Sequence, residues 1–329
     1  MAITINTPIP THSGWKPAGD VQKGDILFDN QGKPVTVKTV QIYEPKHCYE
    51  VTLDDGLTIS GDANMTLVMQ DKVWRDKMSN NKKKTTRCRF ITRKVSELRP
   101  EDLRLPDRSR AFSIPTCGPV QYANKDLPVP PYIFAVWLAC STKNGRLWVN
   151  KRPIEKMKKI FRGYGFFIST KKAGNRNELF YIRPSVRDSF LFAGADIPTT
   201  LPLSYAEASI EQRIELLEGF CDSGKVRFNT ARNKWESRSP DYSFIRRLQG
   251  LVESLGMKTT LHSPWRDLYY TLSFHKNYDK TTPYGKIRRF IDKIDEIEPK
   301  KCIFIDTGTQ ILAGEGYIAV CWPKPKRKS

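Results

Sequence analysis

No two of the seven cysteines (Cys48, Cys88, Cys117, Cys140, Cys221, Cys302 and Cys321) form a Cys-x-x-Cys pair, and their number is odd. Both facts argue against a zinc site and a disulfide framework, and for a reducing compartment. No apolar run reaches the roughly 18 residues a membrane-spanning helix needs. The opening MAITINTPIP has no basic stretch followed by an apolar core, so it does not read as a signal peptide. Acidic residues are in deficit: 35 Asp and Glu stand against 55 Lys and Arg, giving +20 and a pI near 9.6. A basic excess of that size points to a polyanionic partner, nucleic acid first. Histidine is scarce, with only His12, His47, His262 and His275. What is present is ample apolar material, 39% of 329 residues, which excludes global disorder and suits two or three domains.

The first stretch predicts β structure. Short apolar segments (DILFD, PVTVKTVQIY, CYEVTL, LTIS) alternate with turn signals, and VTLDDGLTI is a hairpin with its turn at Asp-Gly. Residues 76–94 are polar and very basic. Residues 111–131 are proline-rich and predict a linker between a β module over 1–110 and an α/β domain over 132–299. In that domain YIFAVWLAC predicts an apolar helix followed by the strand GRLWVN. SIEQRIELLEGFCD predicts a second helix, with Ser209 and Gln212 at capping-box spacing, followed by GKVRFN. The two runs form a pseudo-repeat, with halves over 132–205 and 206–299. Gly219 costs about 1 kcal/mol in a helix interior, so it predicts a close approach between the opening helices, with Ala135 and Ala139 facing it. SPDYSFIRRLQGLVESLGM and GKIRRFIDKIDEI predict further helices. Residues 300–322 return to β structure, and 323–329 (PKPKRKS) form a basic tail.

NTPIPTHSGWKPAGDVQKGDILFDNQGKPVTVKTV resembles the first sequence block of inteins, which have the Hint fold; DDGLTISGDANMTLV resembles their second block, and KKCIFIDTGTQILAGEGYIAVCW their final blocks. Residues 127–298 resemble the LAGLIDADG homing endonuclease domain that inteins carry. The wording is closest to inteins of phage terminase large subunits. The resemblance implies a multi-domain chain in which an all-β Hint-like module, built from N- and C-terminal segments, is interrupted by an α/β LAGLIDADG-like domain of two pseudo-symmetric αββαββα halves.

It also implies two chemistries, and each meets vacant positions. Splicing needs a thiol or hydroxyl at the first intein residue; that position falls at or near Ala2. The second block's histidine is replaced by Met65, and the terminal His-Asn pair by Cys321 and Trp322. Cleavage needs an acid at the end of each LAGLIDADG helix to hold divalent metal and activate water. Cys140 occupies the first acid position, and a thiol is a poor ligand for Mg²⁺. Gly224 occupies the second unless one residue was deleted, in which case Asp222 fills it. No metal is therefore expected, with Mg²⁺ implied only for an active nuclease.

What remains is a binding surface. In the family, strands after each helix form a saddle over DNA. In this sequence the first half offers Arg146, Trp148, Asn150, Lys171, Lys172, Arg176 and Arg183. The second offers Lys225, Arg227, Asn229, Arg232, Lys234 and Arg238. Arg and Asn suit guanine and adenine edges, and Lys suits phosphate. Lys82, Lys83, Lys84, Arg87 and Arg89 in the basic stretch suit phosphate too. Four readings stay open. The first is a DNA-binding regulator or architectural protein that does not cut. The others are a site-specific endonuclease or nickase using Asp222, an RNA-binding splicing helper, and a module docking on an acidic protein. The expected partner is duplex DNA and the simplest assembly a monomer. The expected location is the cytoplasm of a phage's bacterial host, or a nucleus if PKPKRKS is a localisation signal.

Overall fold

The computed structural model describes residues 2–73, 75–76, 90–141, 147–150, 154–173, 177–264, 268–276 and 288–321. The chain divides into two compact units. One comprises Met1–Gln121, Glu253–Lys258 and Asn277–Ser329; the other comprises Tyr122–Val252 and Thr259–Lys276.

In chain order the first segment supplies β1 (Ala2–Thr4), β2 (Pro8–Thr11), β3 (Gly14–Pro17), β4 (Ile26–Phe28), β5 (Pro34–Thr36), β6 (Thr39–Tyr43), β7 (Cys48–Leu53), β8 (Thr58–Asp62), β9 (Thr66–Asp71), β10 (Ile91–Lys94) and β11 (Phe112–Pro115). The second unit supplies α1 (Pro131–Cys140), β12 (Leu147–Asn150), α2 (Ile154–Gly163), β13 (Phe167–Ala173), β14 (Asn177–Arg183), α3 (Val186–Phe192) and α4 (Leu203–Ala206). It continues with α5 (Ile210–Asp222), β15 (Val226–Asn229), β16 (Lys234–Ser239), α6 (Tyr242–Ser254), β17 (Thr259–His262) and β18 (Tyr270–Phe274). The chain then adds β19 (Arg288–Ile297), β20 (Cys302–Asp306), β21 (Ile311–Ala313) and β22 (Ile318–Cys321) to the first unit.

The first unit is built mainly of strands. Its larger sheet runs β21-β22-β9-β11-β19-β7-β8-β1-β20-β6, with β10 on β9, and a smaller sheet runs β3-β2-β4-β5. Strands from both ends of the chain interleave: Ala2 pairs with Phe304, and Val51 with Ile294. The apolar residues of the two sheets close one core around Ile3, Val51, Leu67, Ile114 and Ile303. The Asp-Gly hairpin forms as the sequence requires. Gly56 takes φ +82 between β7 and β8, a conformation that costs glycine little.

Two expectations are corrected. The three-and-four spacing of apolar residues in GKIRRFIDKIDEI predicts a helix, but 288–297 is strand β19. A bulge between Ile291 and Lys293 inserts one extra residue, so Ile291 and Ile294 both face the core although they are three apart. A broken period of two thus imitates a helical period. This strand pairs with β7 and β11 inside the first unit. Residues 111–131 predict a linker; the boundary between the units does fall within them, after Gln121, but Phe112–Pro115 is a strand inside the large sheet and Val120 is fully buried. Pro115 closes that strand.

The second unit pairs helices with two antiparallel sheets, β12-β14-β13 and β15-β16-β18-β17. In chain order α1 precedes the first sheet and α3 and α4 follow it; α5 precedes the second, and α6 falls between its strands β16 and β17. The capping box forms: the Ser209 hydroxyl accepts from Gln212 N, and the Gln212 amide oxygen accepts from Ser209 N. The Asp241 carboxylate caps α6 by accepting from Phe244 N. Tyr132 to Val136 of α1 are buried without a break, as are Leu216, Leu217, Gly219 and Phe220 of α5. α1, apolar on all sides, needs partners on all sides, and the buried side of α5 is one of them.

Candidate nucleic-acid interface

The helix pair closes through Gly219. A Cβ there would lie 2.6 Å from the Tyr132 carbonyl oxygen and 2.7 Å from Ala135 Cβ, so only glycine permits this approach. It brings the ends of α1 and α5 together, where an intein-type nuclease would hold metal. Cys140 Sγ donates to the Ser223 carbonyl at 3.7 Å, and burial pushes its thiol up to about 11. Gly224 takes φ +80 and turns the chain out of α5. Asp222 is present but engaged: Oδ2 accepts from Tyr132 Oη at 2.7 Å and lies 2.6 Å from Lys156 Nζ. Burial, and then the bond to Asp222, raise the Tyr132 phenol above its usual range, so it stays a donor. One turn earlier Glu218 pairs with Lys276 at 2.5 Å. A hard cation wants several oxygen ligands. Here the Asp222 carboxylate is already matched by an ammonium and a phenol, Glu218 by Lys156 and Lys276, and the Cys140 thiol is protonated, a donor set that does not fit Mg²⁺. Among the described residues no three His, Cys, Asp or Glu side chains form a group able to hold a metal.

The sheet that follows α5 carries the basic residues. Its register pairs Val226 with Ser237, Arg227 with Glu236, Phe228 with Trp235 and Asn229 with Lys234; β18 and β17 extend the rows. Strand alternation therefore sorts the side chains. Val226, Ser237, Leu272 and Phe274 are buried on the inner face. Arg227, Asn229, Lys234, Glu236 and Arg238 share the outer face, with Thr271, Thr260 and His262 in the same rows. Arg227 and Arg238 are exposed. Arg227 Nε donates to the Gly224 carbonyl at 2.7 Å, and the Arg238 guanidinium lies 5.5 Å over the Tyr269 ring.

Three sequence candidates have other tasks. Lys225 sits half-buried, its ammonium 4.6 Å over the Phe244 ring; burial lowers its pKa, with Asp241 opposing. Asn229 has both ends of its amide engaged: Nδ2 donates to Glu236 Oε2 at 2.9 Å, and Oδ1 accepts from Arg232 N at 3.2 Å. The Arg232 guanidinium lies 3.3 Å from Glu236 Oε1. Beside them, Trp235 packs at 5.4 Å on Phe228, with Lys276 5.0 Å above it. Thr260, His262 and Thr271 are face residues that basic-patch reasoning misses. The signal was there in the alternation of TTLH and YTLSF.

In the first half Arg183 is exposed at the end of β14, opposite Phe167. Trp148 and Asn150 lie on β12, and Lys171 and Lys172 on β13, where only the backbone is described. Arg146, Arg176, Lys82, Lys83, Lys84, Arg87 and Arg89 lie outside the described residues.

In the first unit lie the positions that the intein resemblance marks for splicing. Ala2 and Met65 are buried, and Gly61 sits between them: a Cβ there would collide with the Ala2 carbonyl oxygen and lie 2.7 Å from Met65 Sδ. Cys321 pairs in register with Thr66, the residue after Met65; its side chain and Trp322 lie outside the described residues. Ala2 offers a methyl group and Met65 a thioether, neither of which can attack an amide or move a proton. Beside Ala2 the buried thiols of Cys48 and Cys302 lie 3.9 Å apart.

No known family model matches the chain. The replicative DNA helicase DnaB of Mycobacterium intracellulare is 25% identical over 342 residues, covering 94% of this chain and 56% of the helicase. The replicative DNA helicase DnaB of Mycobacterium leprae (strain TN) is 36% identical over 63 residues, covering 19% of this chain and 10% of that protein. The chain thus spans little more than half the length of the first relative and a tenth of the second. Similar solved structures include the MchDnaB-1 intein, 28% identical over 30% of this chain and 61% of its own, with a TM-score of 0.22. The gp41-1 intein is 18% identical over 34% of this chain and 73% of its own, with a TM-score of 0.23. I-DmoI in complex with DNA and Mn is 13% identical over 45% of this chain and 89% of its own, with a TM-score of 0.32.

Proposed function

We propose that this chain is an intein-derived, LAGLIDADG-like protein that binds duplex DNA at particular sites and neither splices nor cuts. The observation that carries the reading is the outer face of the β15-β16-β18-β17 sheet. Arg227, Lys234 and Arg238 occupy that face on two adjacent strands, and Arg232 lies at the hairpin that joins them. A two-stranded ribbon fits the major groove, where side chains of one face meet base edges. Arg238, spread over Tyr269, offers a planar fork suited to guanine O6 and N7. Lys234 and Arg227 serve as phosphate contacts, which add affinity and salt dependence without sequence information. The net charge of +20 favours the encounter.

The chemistry of the two helix ends supports binding without cleavage. A nuclease of this type needs a carboxylate open to metal, and Asp222 is neutralised by Lys156 and hydrogen-bonded by Tyr132. Ala2 and Met65 support the absence of splicing. The finer parts of the proposal are a monomeric state, a cytoplasmic site of action and descent from a phage terminase intein.

The test is to incubate the purified protein with a random duplex library in magnesium, recover bound fragments, and sequence their interiors and ends. An enriched motif of roughly 15 to 20 base pairs with intact interiors is expected. Fragment ends clustered inside the motif would overturn the claim that it does not cut. Tighter binding to folded RNA than to duplex DNA at matched salt would overturn the choice of partner.

A further inference from the structure

One carboxylate lies in the middle of the basic face. Glu236 is flanked in its row by Arg227 on β15 and Ser273 on β18. Its side chain is only 13% exposed. Oε2 accepts from Asn229 Nδ2 at 2.9 Å and Oε1 lies 3.3 Å from Arg232 Nη1. Asn229 Oδ1 in turn accepts from Arg232 N, so the three residues form a closed ring across the hairpin. A carboxylate here opposes any polyanion, because like charges placed face to face are repelled.

We infer that Glu236 is a specificity-determining residue of the proposed DNA interface: it holds Arg232 away from phosphate and presents an acceptor to an exocyclic base amine. The inference rests on the duplex-binding reading. An ionised carboxylate has about four lone-pair sites. Asn229 and Arg232 take one on each oxygen, which leaves acceptor capacity on both. In the major groove the matching donors are cytosine N4 and adenine N6, and glutamate pairs with the former. A phosphate offers no donor. Glu236 therefore penalises sequence-independent contact while rewarding the right base, which is how discrimination is built when attraction alone is not selective.

The test uses Glu236→Gln, which keeps the shape and removes the charge, beside Glu155→Gln, which removes the same charge from the exposed start of α2. Two probes are used: a duplex of random sequence, and a duplex of equal length that the wild-type protein selects from a random library. For Glu236→Gln, binding to the random duplex should strengthen several-fold, and the slope of log K against log salt should steepen by about one as Arg232 becomes available to phosphate. Preference for the selected duplex should fall about tenfold, within the range of one lost base contact. Glu155→Gln should change neither. Equal slopes and equal preference in wild type and Glu236→Gln, with both binding duplex, would overturn this inference alone. The absence of any selected sequence would overturn its specificity claim. Failure of the wild-type protein to bind either probe would overturn the duplex-binding reading and this inference with it.

Discussion

Replacing Gly219 with alanine adds one methyl group at the tightest point of the α1–α5 contact. Its carbon would lie 2.6 Å from a backbone oxygen, 2.7 Å from Ala135 Cβ and 3.2 Å from Tyr132 Cα. Ordinary contact begins near 3.4 Å, so the helices must move apart or tilt. No flexible side chain can yield instead, because two of the three neighbours are backbone atoms. Overpacking of this kind costs about 1–3 kcal/mol, and a rigid backbone neighbour puts it at the upper end. Alanine recovers about 1 kcal/mol of helix propensity, so a net loss of about 2 kcal/mol is expected. Gly250, within α6, supplies the control, since a Cβ there meets nothing within 4 Å. Gly250→Ala should gain about 0.5–1 kcal/mol from the same propensity term. Urea unfolding monitored by circular dichroism would place the two variants on opposite sides of wild type, roughly 3 kcal/mol apart. Gly219→Ala at or above wild-type stability would refute the close-packing argument and the placement of Asp222 beside Tyr132.

Asp222→Ala should lower stability by about 1–3 kcal/mol, the cost of leaving the buried Tyr132 hydroxyl without its acceptor, and magnesium should not raise the melting temperature of the wild-type protein. Arg289→Met should cost about 3–5 kcal/mol in chemical denaturation. Arg289 is buried between Asp55 at 2.5 Å and Glu253 at 3.3 Å, so its loss removes the positive charge that two buried carboxylates share. Arg227→Ala and Lys234→Ala should each reduce the salt slope of duplex binding by about one, equally for random and selected sequences. Burial holds the Cys140 and Cys221 thiols up to about 11 and 12. At roughly pH 8, below both values and near an ordinary thiol's, they should therefore resist iodoacetamide in the folded protein and react on unfolding, as read by mass spectrometry.

Local signals in the sequence located several features well. Asp-Gly named the β7–β8 turn, Ser209 and Gln212 named a helix start, and Gly219 named a close approach to the other opening helix, where Ala135 does meet it. Each depends on residues a few positions apart, or on one residue whose cost needs a reason. Features set by distant residues were illegible. Lys156 and Tyr132 reach Asp222 from other helices, the latter 90 residues away, so the sequence could count carboxylates without showing that the remaining one is occupied. Asn229 has the residue type of an adenine reader, but its amide is spent on the hairpin. The 288–297 strand misled for a different reason, since one bulge turned a period of two into apparent helical spacing.

The interleaving of the first unit's strands has a consequence for synthesis. Ala2 leaves the ribosome some three hundred residues ahead of its partner Phe304. At about 5–20 residues per second, residues 122–302 take roughly ten to forty seconds to appear. Through that interval the sides of β1 and β7 that will meet β20 and β19 offer unpaired N–H and C=O groups, the condition under which strands join the wrong neighbour. All of the second unit, which ends at Lys276, is made before β19 exists. The nascent chain thus carries a finished α/β body while β1 and β7 still wait for their last partners, and a chaperone that shields those edges would raise the yield of folded protein.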